Sequence, residues 1–490
     1  MCELRATHMN ETTNTKHKRY DEAFKKSAVE HWLISGKSAR QVAAELGINV
    51  QNLPKWKQKF KELPAGQVVG TLEALQAEKE IFAGNCRGPL HGVPIAVKDL
   101  FFSRDSEMTA GSPIYRDFRP TFDSTAVARL KAAGAVTVGR TNLHERAYGV
   151  TNENAHFGPC LNPWDMERVP GGSRGGSAVA VAAGLAFAAL GTDTGGSIRI
   201  PASYCGVTGL KPTYGRVSRY GVHPLSTNFD HVGSFGRTVY DAAILTELIG
   251  GTDVHDPSCL HSPCPSWTAS LSGSIEGWTI GVVQGSFLGR LHPDVVRSMD
   301  RAIQELEAAG VSLEEVEIPN ATEAGEVAHL IQMVDGASFY HQLLVKRPES
   351  FSEDVRLLIE QGHLVSGIDY VNAQRFRRFF QTALERLFRK FHALVLPATP
   401  MPAPRLGQRT VEFDGIPEDA GGAATRLVRP FNLAGVPVLT LPCGFSDQLP
   451  LGLQIVTRAG DEFSGLRIGH VYQQRTQWHT IRPGAVHSLM

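Results

Sequence analysis

The sequence predicts an α/β protein built on a largely buried sheet, with a small all-α module in front of it. Three observations carry this. Beyond about residue 65, apolar segments of strand length alternate with helical patterns, the arrangement of a layered α/β domain. Several of those segments are apolar throughout, as strands covered on both faces are. Before residue 65 the apolar residues recur only at helical spacing, in a basic setting.

The front module comes first in chain order. Asp21 to Ser35 sets Phe24, Ala28, Val29, Trp32 and Leu33 three and four residues apart, which predicts an amphipathic helix stopped by Gly36. Ser38 is placed to cap a short helix containing Val42, Ala43 and Leu46. Gly47 and Ile48 form a turn, and Asn49 is expected to cap a third, basic helix running to Phe60. Helix, short glycine turn and basic third helix are the parts of a helix-turn-helix.

Short buried strands are predicted at Val93–Val97, Val136–Val138, Ala186–Leu190, Thr279–Val283, Leu394–Leu396, Val438–Leu441 and Leu453–Val456. Helices are predicted between them. Asp123–Ala133 ends at Gly134 and leads into the strand at Val136. Pro293–Ala309 has proline near its start and Gly310 just past its end, as helix termini prefer. The proline-rich stretch Pro397–Pro404 is expected to be a rigid loop.

Bulk properties narrow the function classes. With 490 residues, 42% hydrophobic and 20% charged, the chain suits a soluble globular protein of two or three domains. Its zero net charge gives no overall signature for nucleic acid or membrane, but residues 1–65 hold 12 Lys and Arg against 7 Asp and Glu. The seven cysteines are scattered, with no metal-ligand spacing, which suits a reduced cytoplasm and calls for no metal or other cofactor. The longest apolar run, Ala178–Gly191, is too short to span a bilayer, so no membrane partner is expected.

The segment Pro170–Thr213 holds two Gly-Gly-Ser triplets, Gly171-Gly172-Ser173 and Gly195-Gly196-Ser197, with an Ala-rich helix and strand between them. A phosphate loop is disfavoured because the GK[ST] ending is missing. A nucleophile elbow fits Gly171–Gly175 literally, but that motif needs a buried strand before the serine, and Asn162–Pro170 is polar and proline-broken. The triplets could also be tight turns with capping serines. A fourth alternative brings in Lys98, at the end of the apolar strand 93–97, where a desolvated lysine becomes a usable general base for a serine.

Lys98, Ser173 and Ser197, together with GTDTGGSIR, CGVTGLKPT, FNLAGVPVLTLPCGF and PLGLQIV, resemble the amidase signature family from about Arg87 to Pro483. The resemblance implies an α/β/α sandwich around a mixed sheet and hydrolysis of a small-molecule carboxylic amide to acid and amine. It implies Ser197 as nucleophile, Ser173 (on a cis peptide bond) as bridge and Lys98 as base. Backbone amides of Thr194, Gly195, Gly196 and Ser197 would form the oxyanion hole. Asp193 and Arg199 would brace the loop as an ion pair. The acyl pocket is expected within residues 320–430.

Three departures from the family pattern stand out. Arg174 replaces a serine next to the bridging serine and would place a cation beside Lys98. Ser234 replaces a proline, with little effect expected. The usual helical start is reduced to Leu72–Ala83, residues 1–64 standing in place of the rest. A face stripped of helices invites association, so a homodimer is an expected partner state.

Residues 16–60 resemble the helix-turn-helix of insertion-element transposases. That implies DNA as a partner, with Gln51, Asn52 and Lys55 at the bases and Lys57, Lys59 and Lys61 at phosphates. Pro54, expected inside the third helix, argues against it, since an interior proline costs about 3 kcal/mol. The expected organisation is therefore a helix-turn-helix over 1–64 and an amidase-type domain over 65–490. Two alternatives stay open: the glutaminase subunit of a tRNA-dependent amidotransferase, and a DNA-binding fusion whose amidase body is inactive.

Overall fold

The computed structural model describes residues 38–59 and 68–484, together with positions 25, 28, 29 and 32. The chain divides into two compact units, Met1–Leu72 and Glu73–Met490.

In the first unit, Ser38 caps the helix Ala39–Glu45. Its hydroxyl accepts from the Gln41 amide while the Gln41 side chain accepts from the Ser38 amide, a reciprocal capping box. Gly47 turns the chain at φ 61°, and Val42, Ala43, Ile48 and Leu53 close a small core with Ala28. The next helix is Asn52–Lys59. It does not begin after Asn49, whose side chain instead accepts from the Gln51 amide within a turn. Pro54 is therefore the third helical residue, in the first turn, where an N–H has no intrahelical acceptor and none is lost. The expected penalty at Pro54 is corrected accordingly. Most of the expected helix 21–35, and Phe60 and Lys61, lie outside the described residues.

The second unit is organised by a ten-stranded sheet. Its strands are β1 (Pro94–Lys98), β2 (Val136–Thr141), β5 (Ala188–Asp193), β6 (Thr208–Lys211), β7 (His231–Gly236), β8 (Thr279–Val283), β9 (Ser312–Val316), β10 (Ala393–Pro397), β13 (Val438–Ser446) and β14 (Leu449–Val456). Two hairpins, β3 (Glu153–Asn154) with β4 (Gly158–Pro159) and β11 (Thr410–Phe413) with β12 (Ile416–Asp419), stand apart from it. The spatial order is β2-β1-β5-β7-β6-β13-β14-β10-β8-β9. Pairing is parallel at β2/β1, β1/β5, β10/β8 and β8/β9, and antiparallel elsewhere, so the sheet is mixed.

Both faces are covered. Along β10, Ala393 and Val395 join one core with Val295 and Met299 of the helix Pro293–Glu307 and Leu466 of the helix Glu462–Arg475. Leu394 and Leu396 join another with Ile331 of the helix Ala321–Lys346 and Phe380 of the helix Gly367–Leu387. Alternate side chains of one strand thus feed opposite layers, the signature of an α/β/α sandwich.

Strands β6, β7 and β9 were not expected. TGLK and HVGSFG are short, glycine-bearing and polar, and SLEEV is a half-exposed edge strand. Their pairing is set by neighbours rather than by their own propensity. Ser234, in β7, is fully buried, and its hydroxyl reaches the Ala242 carbonyl at 2.8 Å and the Thr246 hydroxyl at 2.7 Å.

Candidate active site

Because β1 runs parallel to β5, with Ile95 opposite Ala188 and Val97 opposite Leu190, both strands end on the same edge of the sheet. Lys98 closes β1, and the turn after Asp193 follows β5. The helix Gly175–Ala182 packs against these strands closely: a Cβ on Gly176 would lie 2.4 Å from the Asn142 carbonyl oxygen. That close packing brings Ser173, just ahead of the helix, to the same edge. The peptide bond between Gly172 and Ser173 is cis.

Lys98 Nζ lies 2.9 Å from Ser173 Oγ, and Ser173 Oγ lies 3.1 Å from Ser197 Oγ. Lys98 and Ser173 are completely buried, whereas Ser197 retains 8% exposure. Of the three, only Ser197 keeps any exposure to solvent. Burial and the neighbouring charge of Arg174 hold the Lys98 amine well below its ordinary pKa, against a partial offset from Asp230 and Asp193.

Asp193 organises the turn. It accepts from the amides of Gly196 and Ile198, each at 2.9 Å, and from Asn432 Nδ2 at 2.8 Å. Arg199 meets it through Nε at 3.1 Å and Nη2 at 2.9 Å, with both residues fully buried. Burial alone would raise the Asp193 pKa, but the charge and hydrogen bonds of Arg199 outweigh it and keep the carboxylate ionised.

Gly196 sits at φ 114°, a backbone region that L side chains avoid. Its N–H donates to Asp193 at 2.9 Å, whereas the amides of Thr194, Gly195 and Ser197 have no acceptor among the described residues.

Arg174 does lie beside Lys98, and its own setting is unusual. The side chain is fully buried, and none of its three guanidinium nitrogens has a hydrogen-bond partner. It presses on β5, where a Cβ on Gly191 would fall 1.7 Å from Arg174 Nη1. Burial drives its pKa well down, only partly opposed by Asp193 and Asp230.

The residues expected to meet DNA belong to the other unit. Gln51 and Lys55 are exposed and Asn52 is half-buried. The backbones of Lys57 and Lys59 are helical, and their side chains lie outside the described residues.

The sequence profile of the family described as Amidase matches residues 67–466. The chain belongs to the amidase family. A glutamyl-tRNA(Gln) amidotransferase subunit from Roseiflexus castenholzii (strain DSM 13941 / HLO8) is 40% identical to this amidase-family chain over 434 residues, which cover 84% of the chain and 87% of that protein. Among solved structures, one described as a vestigial protein complex revealing the evolutionary origins of an s-triazine catabolic enzyme matches with TM-score 0.81 and 36% identity, covering 91% of this chain and 97% of that one. A crystal structure described as an amidase matches with TM-score 0.76 and 35% identity over 91% of this chain and 98% of that one. These likenesses make the protein a hydrolase of carbon–nitrogen bonds. The profile of a second family, described as Transposase, matches residues 14–81.

Two supports of the amidase site were not foreseen. Asp230 accepts from Thr194 Oγ1 at 2.6 Å and from the amides of Leu225 and Ser226, tying the turn to the segment 225–230. Asn432 lies in the FNLAGVP segment, which carried family resemblance but whose bond to Asp193 only the fold reveals.

Proposed function

We propose that the protein hydrolyses a carboxylic amide through an acyl-enzyme on Ser197, with Ser173 and Lys98 relaying the proton. The observation that carries this is the buried chain of contacts from Lys98 Nζ through Ser173 Oγ to Ser197 Oγ, at 2.9 and 3.1 Å, ending at the one serine of the three that keeps some exposure. A desolvated amine beside a second cation is biased to the neutral form, which can accept a proton. Ser197 Oγ attacks the amide carbonyl as its proton passes to Ser173, whose own proton passes to Lys98. The oxyanion meets the amides of Thr194, Gly195 and Ser197, each such donor being worth about 100- to 1,000-fold in rate. The relay then runs backwards to protonate the leaving nitrogen, and water enters by the same route to release the acid. Asp193, Arg199 and Asp230 hold the turn and take no part in the proton transfers.

The test is ammonia release from a panel of aliphatic and aromatic amides, wild type against Ser197→Ala. Release by the wild type and a loss of at least about 1,000-fold in the variant is expected. A variant that keeps its rate rejects Ser197 as nucleophile.

The amidotransferase relative favours a second version, in which the chain supplies ammonia from glutamine to partner subunits. Glutaminase activity that appears only with co-purifying subunits would select it. The Transposase match and the exposed Gln51 and Lys55 support DNA binding by a module spanning about residues 1–64, ahead of an amidase body over 65–490. A gel shift whose affinity falls steeply with salt would support that module, and no shift at low salt would reject it. No helix among the described residues is long and apolar enough to cross a membrane, and no disulfide joins the six described cysteines.

A further inference from the structure

Next to Gly195 the turn after β5 is approached by a cluster of polar side chains that make no hydrogen bond to protein among the described residues. A Cβ on Gly195 would lie 2.9 Å from Gln332 Oε1 and 3.8 Å from Arg429 Cγ, so both side chains stand over the segment that carries the oxyanion donors. Arg429 is half-buried, and its Nε is sealed from solvent with no acceptor. The Tyr148 hydroxyl is also buried without a partner. The same holds for His329 Nδ1. Burial and the charge of Arg429 push the His329 pKa down to about 3, so this imidazole is neutral near pH 7. His329, Gln332 and Gly336 recur three and four residues apart on the helix Ala321–Lys346, on one face. Gly336 gives room to Tyr148, whose Cε1 would stand 3.3 Å from a Cβ there.

The cluster thus combines one guanidinium with neutral hydrogen-bonding groups. The acids that act on Arg429, Glu326 and Asp419, are exposed and make no ion pair with it among the described residues. A buried Nε donor without an acceptor is costly, and it can be satisfied, together with a neighbouring Nη, by a planar anion accepting two parallel N–H bonds. A carboxylate has that shape, and Gln332 and Tyr148 can add neutral donors.

We propose that this cluster binds the acyl portion of the substrate through a free carboxylate. The preferred substrate is then a monoamide of a dicarboxylic acid, its carboxylate on Arg429 and its amide carbonyl at Ser197. This rests on the amidohydrolase assignment above. A neutral amide of the same length leaves the buried Arg429 Nε unpaired, and buried polar groups left unpaired are what make such sites selective.

The experiment is calorimetric titration of the full-length Ser197→Ala protein with succinamate and glutaramate, each against its neutral counterpart, butyramide and valeramide. At least one anionic amide is expected to bind tenfold or more tightly than its neutral counterpart. Arg429→Gln should erase that advantage. Arg429→Lys, which keeps the charge but loses the paired donors, should retain part of it. No advantage for either anionic amide, or an advantage that survives Arg429→Gln in a protein of unchanged melting temperature, overturns the proposal. Ammonia release by the wild type separates the two assignments. A carboxylate preference in binding without any hydrolysis rejects the hydrolase and keeps the carboxylate site. Hydrolysis indifferent to the carboxylate does the reverse.

Discussion

Arg174 is the residue at which this chain departs furthest from the chemistry its motif implies. A guanidinium fully buried with three unpartnered nitrogens is a burden on folding, yet it stands where its charge favours neutral Lys98. The sign of its effect on catalysis follows. The acid limb of kcat/KM rises as Lys98 loses its proton in the free enzyme. Without Arg174 the Lys98 pKa rises, so the limb moves to higher pH. Arg174→Met is expected to shift that limb upward by about one unit or more, while leaving the melting temperature unchanged or higher, since exchanging a buried charge for an apolar side chain is often neutral or stabilising. A pH profile that superimposes on the wild type would show that Arg174 does not tune the base. Lys98, Ser173 and Ser197 were legible in the sequence through the motifs that resemble the amidase signature family, and Arg174 as a departure from that pattern beside the bridging serine. Arg429, Gln332 and Tyr148 were not legible, because three distant segments meet only in the folded chain.

At the scale of elements, the strands that were legible are those whose own residues are continuously apolar, such as TIGVV and ALVLP. Strand β7 was not, although it is buried along its whole length, because HVGSFG owes its place to β5 and β6 on either side. The extra cation in the helix layer also constrains β5. Gly191 is fully buried in that strand, and the space its Cβ would take is filled by Arg174. Gly191→Ala therefore overpacks the layer and is expected to cost about 1–3 kcal/mol. Arg174→Ser in the same chain should recover most of that loss, because it removes the atom in conflict. Urea denaturation of the two single variants and the double variant gives the coupling directly. A coupling energy near zero would mean that β5 accommodates the methyl group by another route.

At the scale of the molecule, the division into Met1–Leu72 and Glu73–Met490 leaves every group of the proposed chemistry in the second unit. Lys98, Ser173 and Ser197, the turn supports Asp193, Arg199 and Asp230, and the cluster residues Tyr148, Gln332 and Arg429 all fall there. So does most of the helix Val68–Phe82, whose Glu73 carboxylate accepts the Thr137 amide of the edge strand β2 at 2.6 Å. That bond caps an otherwise open strand position, and Ala77 and Ile81 of the same helix pack at Gly92 just before β1. A chain beginning at residue 66 keeps this helix and loses only what precedes it. Its kcat/KM for ammonia release is expected to stay within about threefold of full length, since no group that touches the reacting atoms or holds the turn is removed. Its salt-dependent DNA shift should vanish, because Gln51, Asn52 and Lys55 go with the front module. Sedimentation of both chains would show whether the exposed Val138, Leu185 and Phe187 on the body drive association. A shortened chain that melts cooperatively but hydrolyses no amide would mean that the front module takes part in the chemistry, and the division of labour drawn here would be wrong.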